Sequence, residues 1–197
     1  MIKIYCCDAI YFLESLRDAG EKADMVMTDP HNTYNPDFNL QWLKLCHELL
    51  KDGKVLCSFC SPPTIGDFIR QAESVGFSHL QTIERLNKIT GRTEPCMMVS
   101  KGEWAGKKFK YHDFHIGKPE VGKFPLEAVK PLRLIKSMIE NFTKKGDTVI
   151  DMMLGSGTTA VACKDLKRNF KGSELDLEFS RIARNRAGFP DEYATGI

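Results

Sequence analysis

Residues 146–159 read Gly146-Asp-Thr-Val-Ile-Asp151-Met-Met-Leu-Gly155-Ser-Gly157-Thr-Thr159, and residues 170–174 read Phe170-Lys-Gly-Ser-Glu174. Gly146-Asp147 turns the chain into the short run Thr148 to Asp151, which predicts a strand. Gly155 and Gly157 then let the backbone turn sharply and come close to a ligand. The helix predicted from Thr158 to Leu166 points its first N–H groups at whatever sits there. A second strand ends on Glu174, and a last helix spans 176–186. An acid closing the next strand, ~20 residues beyond a glycine loop, is placed to accept hydrogen bonds from ribose hydroxyls. No lysine follows the loop in Gly-Lys-Ser or Gly-Lys-Thr form, so it is not a phosphate-gripping loop. Loop and acid together point to a nucleoside-type cofactor.

The same alternation runs through the first half. Strands are predicted at 2–6, 24–28 and 54–60, and helices over 9–19, 39–50 and 64–75, with turns at Asp52-Gly53 and Gly76. Two strand-like runs follow, at 79–86 and 95–100. A helix with apolar residues at 132, 134, 135, 138, 139 and 142 then leads to the glycine loop. Strand–helix alternation of this kind predicts an α/β fold, a mostly parallel sheet with helices on both faces. Ligands of such sheets lie at the carboxyl ends of the strands.

The 197 residues suit one domain, 1–197. Hydrophobic residues make up 42% and charged residues 27%, the values of an ordinary globular domain. No apolar run approaches the ~20 residues a membrane helix needs. Asp8 and Glu14 interrupt the first residues, which do not read as a signal peptide. Seven cysteines with no export signal read as reduced thiols of a cytoplasm. Cys57-Ser-Phe-Cys60 has the spacing of a metal pair but no second pair, and it falls in a strand-like run where thiols pack as small core residues. No metal is expected, and His47 and His79 read as isolated structural or surface residues. The net charge of +2 does not itself indicate a nucleic-acid partner, which must be argued from where the charge sits.

Two stretches stand apart. Thr28-Asp29-Pro30-His31-Asn32-Thr33-Tyr34-Asn35 follows a strand end, and on its own Asp-Pro there is a turn. Segment 101–124 holds six lysines against three acids, with Trp104, Phe109, Tyr111, Phe114 and Phe124 interleaved. Basic charge tracks phosphates and aromatic faces stack on bases. A solvated loop anchored by a few aromatics has the same composition.

In combination these pieces resemble the amino-group DNA methyltransferases, over nearly the whole chain. The resemblance rests on Lys130-Pro131-Leu-Arg-Leu-Ile, on 146–159 and on Lys171-Gly-Ser-Glu174 through Arg186. In the first half it rests on Cys7-Asp8-Ala9, Asp29-Pro30, 50–56 and 74–77. The catalytic loop precedes the glycine loop, the order of the permuted group often called beta class. The resemblance implies a single Rossmann-like methyltransferase domain, circularly permuted, that takes methyl from S-adenosyl-L-methionine. The methyl goes to the exocyclic amine of a base flipped out of double-stranded DNA, with adenine N6 favoured because the loop opens on Asp. It also implies a cytoplasmic setting in a bacterial, archaeal or phage-infected cell. Restriction-modification or phage modification is the suggested context, and self-association into a homodimer is left open.

The resemblance assigns roles residue by residue. Asp8 would bind the cofactor's adenine edge and Glu174 its ribose. Asp151, Leu154, Gly155, Gly157 and Thr158 would surround the methionine end, and Lys130 and Pro131 would complete that pocket. Asp29 and the Pro30 carbonyl would hold the target amine, with Asn32 and Tyr34 in the same loop and either Tyr34 or His31 able to stack on the base. Segment 101–124, with Lys107, Lys108, Lys110 and His112, would serve as a minimal target-recognition region. The chain departs from the family pattern in three places: Asp29-Pro30-His31-Asn32 replaces Asp-Pro-Pro-Tyr, Met152-Met153 replaces Pro-Phe, and the recognition region is small. The altered loop leaves room for a cofactor- or nucleic-acid-binding relative without turnover, and the small region for methyl transfer to RNA or a free nucleotide; cytosine N4 is the alternative target base.

Overall fold

The computed structural model describes residues 1–30, 35–86, 91, 93–110 and 129–189. In chain order the elements are β1 (Ile2–Cys6), α1 (Ala9–Asp18), β2 (Ala23–Thr28), α2 (Pro36–Leu49), β3 (Leu50–Phe59), α3 (Ile65–Ser74), β4 (Phe77–Leu86) and β5 (Thr93–Lys101). Then come α4 (Leu132–Phe142), β6 (Thr148–Asp151), α5 (Thr158–Asp165), β7 (Asn169–Glu174) and α6 (Leu177–Ala187). Three of the helices begin where a short polar side chain caps them. Asp8 caps α1 through the amides of Ile10 and Tyr11, Asn35 caps α2 through that of Phe38, and Asp176 caps α6 through those of Glu178 and Phe179.

The strands form one seven-stranded sheet in the order β1-β7-β6-β2-β3-β5-β4. Neighbours from β1 to β3 pair in parallel, whereas β5 pairs antiparallel with both β3 and β4. Asp52-Gly53, expected as a turn, lies inside β3. That strand starts at Leu50, and its ladder with β2 slips between Ala23 and Met25. The sheet pairs an irregular stretch instead of ending before it.

Helices α1–α3 cover one face and α4–α6 the other. Phe12, Leu13, Trp42, Leu43, Leu49 and Phe68 pack on the first face with Val26, Leu56 and Ile150. Leu134, Met138, Ile139, Phe142, Cys163 and Ala183 pack on the second with Met25, Val55 and Val149. Residues 25 and 26, or 55 and 56, therefore serve opposite layers, as the two-residue period of a strand requires. Cys57 belongs to one layer and Cys60 to the other, and both are buried, so this pair packs the core. Among the described residues no helix is long and apolar enough to cross a membrane.

The join between the glycine loop and α6 is close-packed. Gly157 has a left-handed φ of 88°, and a Cβ on it would lie 2.7 Å from the Ala183 Cα. Gly20 has a similar φ of 70° but open space around it. Gly157→Ala should cost about 2–4 kcal/mol, from backbone strain plus overpacking. Gly20→Ala should cost only about 1 kcal/mol, from its backbone alone. Urea denaturation of the two variants checks this, and equal losses would remove the packing argument.

Candidate active site

The parallel strands deliver their carboxyl ends to one edge of the sheet, and an acid stands at or just past four of them. Cys6 on β1 is the register partner of Glu174 on β7, Asp151 on β6 that of Gly172, and Met25 on β2 that of Val149. The chain leaves these ends through Asp8, Asp29, the glycine loop and Glu174. Two pockets open there and share Met153 and Gly155 as a common wall. Their cavity volumes are about 70 and 540 Å³, so the outer pocket has the size of a small-molecule cleft and the inner one is a narrow recess beside it.

The larger, outer pocket is lined by Asp8, Phe38, Met152, Glu174, Leu175 and Phe179, among others. Glu174 holds the glycine loop directly: its Oε2 accepts from the Gly155 amide at 2.7 Å and its Oε1 from the Asp176 amide at 3.0 Å. Asp8 has a structural duty as well, since its Oδ1 accepts from Ile10 and Tyr11 at 2.8 and 3.1 Å. Leu175 and Leu177 are 70% and 51% exposed at this mouth. Leucines placed directly after a strand-end acid are the sequence signal that, together with Phe38 and Phe179, points to the apolar part of this pocket.

The inner pocket brings Thr28, Asp29, Phe59, Lys130, Asp151 and Leu154 together with Ser156 and Thr158. Asp151 is buried, and desolvation pushes its carboxyl up to about 7. The nearby charge of Asp29 adds to the rise, while the Thr159 and Thr28 hydroxyls and the Met153 amide oppose it. The Lys130 ammonium donates to Asp29 Oδ2 at 2.6 Å, across 101 residues of sequence. It also lies 3.7 Å from Glu94 Oε2 and 4.8 Å from the centre of the Phe59 ring. Glu94 is in turn paired with Arg85.

Of the residues singled out in the sequence, Asp8, Asp29, Lys130, Asp151, Leu154, Gly155, Thr158 and Glu174 line these two pockets. Gly157 does not; its close approach is to Ala183. Pro131 opens α4, its carbonyl accepting from the Leu134 and Ile135 amides, and Pro30 follows Asp29 beside the inner pocket. Asn32, Tyr34 and His112 lie outside the described residues, as do His31 and most of segment 101–124. Lys107, Lys108 and Lys110 line a separate groove with Ser137, Glu140 and Asn141. Asn141 stands ten residues beyond Pro131 on α4, which is about 15 Å along the axis at about 1.5 Å per residue. Trp104 and Phe109 pack against Phe142, so these two aromatics anchor the segment to the core. His47 packs edge-on against Phe77, and His79 shares a hydrogen bond with Thr82, both structural contacts.

The glycine loop is also supported by Arg186, the last residue of the stretch from Lys171, to which the sequence assigns no role of its own. Its guanidinium donates to the Ser156 carbonyl at 2.7 Å and to the Ser156 hydroxyl at 2.8 Å. The loop is thus held from α6 by a charged side chain and by the Gly157–Ala183 contact. Two further bonds tie it to Ser173 on β7, at 3.0 Å each: the Leu154 amide donates to the Ser173 carbonyl, and the Ser173 hydroxyl donates to the Met152 carbonyl.

A mostly parallel sheet whose carboxyl edge carries a glycine loop, a strand-end acid and a separate Asp-Pro turn defines an α/β fold of the Rossmann-like methyltransferase type. More particularly, the chain belongs to the DNA methylase family, whose model (N6_N4_Mtase) matches residues 85–185, just over half its length. It is 28% identical over 179 residues to the Type II methyltransferase M2.DpnII of Streptococcus pneumoniae, covering 76% of this chain and 66% of that one. The chain spans 66% or less of the length of the first curated relatives it matches. Among solved structures, M1.HpyAVI is 30% identical with a TM-score of 0.76, covering 96% of this chain and 100% of that one. The M1.HpyAVI-SAM complex superposes with a TM-score of 0.80 at 28% identity, covering 94% and 98%. The cytosine-N4-specific PvuII DNA methyltransferase shares the fold, with a TM-score of 0.74 at 18% identity over 98% of this chain and 87% of that one.

Burial of Asp151 has a consequence for stability. Its folded-state value is raised from the ordinary 3.8 to about 7, so between those limits the folded chain holds a proton that the unfolded chain has released. Stability from this group is present at acid pH and is lost as pH rises through that window. Asp151→Asn, which does not titrate, should therefore be more stable than wild type at pH 8, by on the order of 1–3 kcal/mol, with the gap closing near pH 4. Urea melts at the two pH values test this; a gap independent of pH would contradict it.

Proposed function

We propose that the chain transfers methyl from S-adenosylmethionine to the exocyclic amine of a flipped-out base in double-stranded DNA, adenine N6 in particular. The observation that carries this is the junction at Met153 and Gly155 of a cleft bearing Asp8 and Glu174 with a pocket whose far wall holds Asp29. The cofactor would lie along the first and the reacting amine would enter the second.

The residues present fit that cofactor. Glu174 and Asp8 offer acceptors to ribose hydroxyls and to an adenine amine, beside the apolar surfaces of Phe38, Leu175 and Phe179. Asp151 offers a carboxylate to the ammonium of the methionine end, and the start of α5 offers backbone N–H groups to its carboxylate. When bound, the cofactor supplies a methyl group activated by a sulfonium charge, which needs acidic and apolar walls more than basic ones. The one cation lining the inner pocket among the described residues, Lys130, is already paired with Asp29.

Asp29 and Pro30 then prepare the nucleophile. The lone pair of an exocyclic amine is delocalised into the base ring. A carboxylate and a carbonyl accepting its two N–H groups localise the pair, aim it, and stabilise the positive charge that grows on nitrogen. No covalent intermediate is needed. Adenine is favoured because the loop opens on Asp29; cytosine N4 presents the same donors to the same pair of acceptors.

Labelled methyl should pass from S-adenosylmethionine to unmethylated genomic DNA and appear in N6-methyladenine after nucleoside analysis. Asp29→Ala should lower transfer by about 10²-fold or more with cofactor affinity little changed. Glu174→Ala should weaken cofactor binding by about tenfold or more, since it removes a charged hydrogen-bond acceptor. Label in methylcytosine would overturn the base assignment. Cofactor binding without label in any nucleic acid would make the chain a binding relative, and label in RNA alone would overturn the DNA assignment.

The basic groove on α4 is the other part of the reading. Neutralising Lys107, Lys108 and Lys110 together should reduce DNA affinity and flatten its salt dependence by up to about three units of slope, with the chemical step unchanged. An unchanged slope would remove this groove from the DNA interface.

A further inference from the structure

Lys130 immediately precedes Pro131 at the start of α4, and its side chain is only 12% exposed. Its ammonium meets Asp29 Oδ2 at 2.6 Å, with Glu94 Oε2 at 3.7 Å behind it. Glu94 on β5 is the register partner of Arg85 on β4, and those two side chains form an ion pair. Four charges of alternating sign, Asp29, Lys130, Glu94 and Arg85, thus run from the inner pocket into the antiparallel edge of the sheet. By family resemblance Lys130 belongs to the cofactor pocket. Its observed partners are protein carboxylates, Asp29 and Glu94, so its ammonium is already engaged at the Asp29 side of the pocket.

We propose that Lys130 is the positioning residue of Asp29: it binds Oδ2, is itself held from behind by Glu94 and Arg85, and so presents Oδ1 to the target amine. This rests on the methyl-transfer reading. A carboxylate on a turn has two soft side-chain torsions, and its acceptor oxygen must sit within a few tenths of an ångström of the amine for the lone pair to be aimed. Fixing one oxygen with a part-buried, charge-assisted hydrogen bond sets the direction of the other. Removal of the ammonium leaves Asp29 and Glu94 as two carboxylates facing one site, and their repulsion turns Asp29 away from the pocket. The pair also joins the end of β2 to the start of α4, so the turn carrying Asp29 is tied to the helix beside it.

The test compares wild type, Asp29→Ala, Lys130→Ala and Glu94→Gln in the labelled-methyl assay, with cofactor affinity measured separately by calorimetry. Lys130→Ala should lower kcat by about 10²-fold while cofactor Kd stays within about threefold. Propylammonium, which replaces the deleted atoms from Cγ to Nζ, should restore part of kcat; tetramethylammonium, which has no N–H donor, should not. Glu94→Gln leaves Lys130 in place and loosens its support, and should lower kcat by about tenfold, which keeps the test decisive if Lys130→Ala fails to fold. A Lys130→Ala loss confined to cofactor Kd, a loss that propylammonium does not rescue, or an unchanged kcat in both variants would overturn the proposal. An inactive wild type, or a fully active Asp29→Ala, would overturn the methyl-transfer reading and this proposal with it.

Discussion

Parallel pairing of β1, β7, β6 and β2 gathers Asp8, Glu174, Asp151 and Asp29 at one edge of a sheet, and four carboxylates in one cleft repel each other unless each is compensated. The compensation differs at every position. Asp8 accepts from the first amides of α1. Glu174 accepts from Gly155 and Asp176. Asp29 has the Lys130 ammonium. Asp151, the most enclosed, has its proton affinity raised instead. A cleft arranged in this way is prepared for a ligand that carries hydroxyls and positive charge, which is the character of the proposed methyl donor.

The acids are useful only while the loop between them keeps its shape. Gly155 and Gly157 give that loop its turns, and α6 gives it rigidity, through Ala183 against Gly157 and through Arg186 on Ser156. Stability and function meet here, since the contacts that seat α6 on the sheet also set the amide that Glu174 accepts. On the other side of the cleft, the Asp29–Lys130–Glu94–Arg85 series holds the Asp29 turn, which the proposed reaction places at the reacting end. In the proposed reaction, binding and chemistry would be supported from opposite sides, one by the parallel core and one by the antiparallel edge.

Much of this is legible in the sequence. Periodic apolar residues locate the helices and strands, because each element buries one stripe or one face and the spacing follows. The link from Gly155 to Glu174 is legible too, since both lie in one strand–helix–strand unit of short span. Three things are not. The direction of β5 depends on how residues 79–101 fold back on β3, which no local pattern states. The partner of Lys130 is 101 residues away, so only the closed sheet brings it to Asp29. Composition groups Lys107 and Lys108 with the site, yet their groove lies along α4 toward Asn141, because Trp104 and Phe109 dock on Phe142.

In the proposed reaction the cofactor spans both pockets, from Glu174 to the side of Asp29. A crystal structure of the chain with S-adenosylmethionine tests it most directly. The adenosyl group should lie beside Asp8 and Glu174, the amino-acid end near Asp151, and the sulfonium methyl facing Asp29. A ligand bound elsewhere, or one lying with its amino-acid end at Glu174, would contradict it.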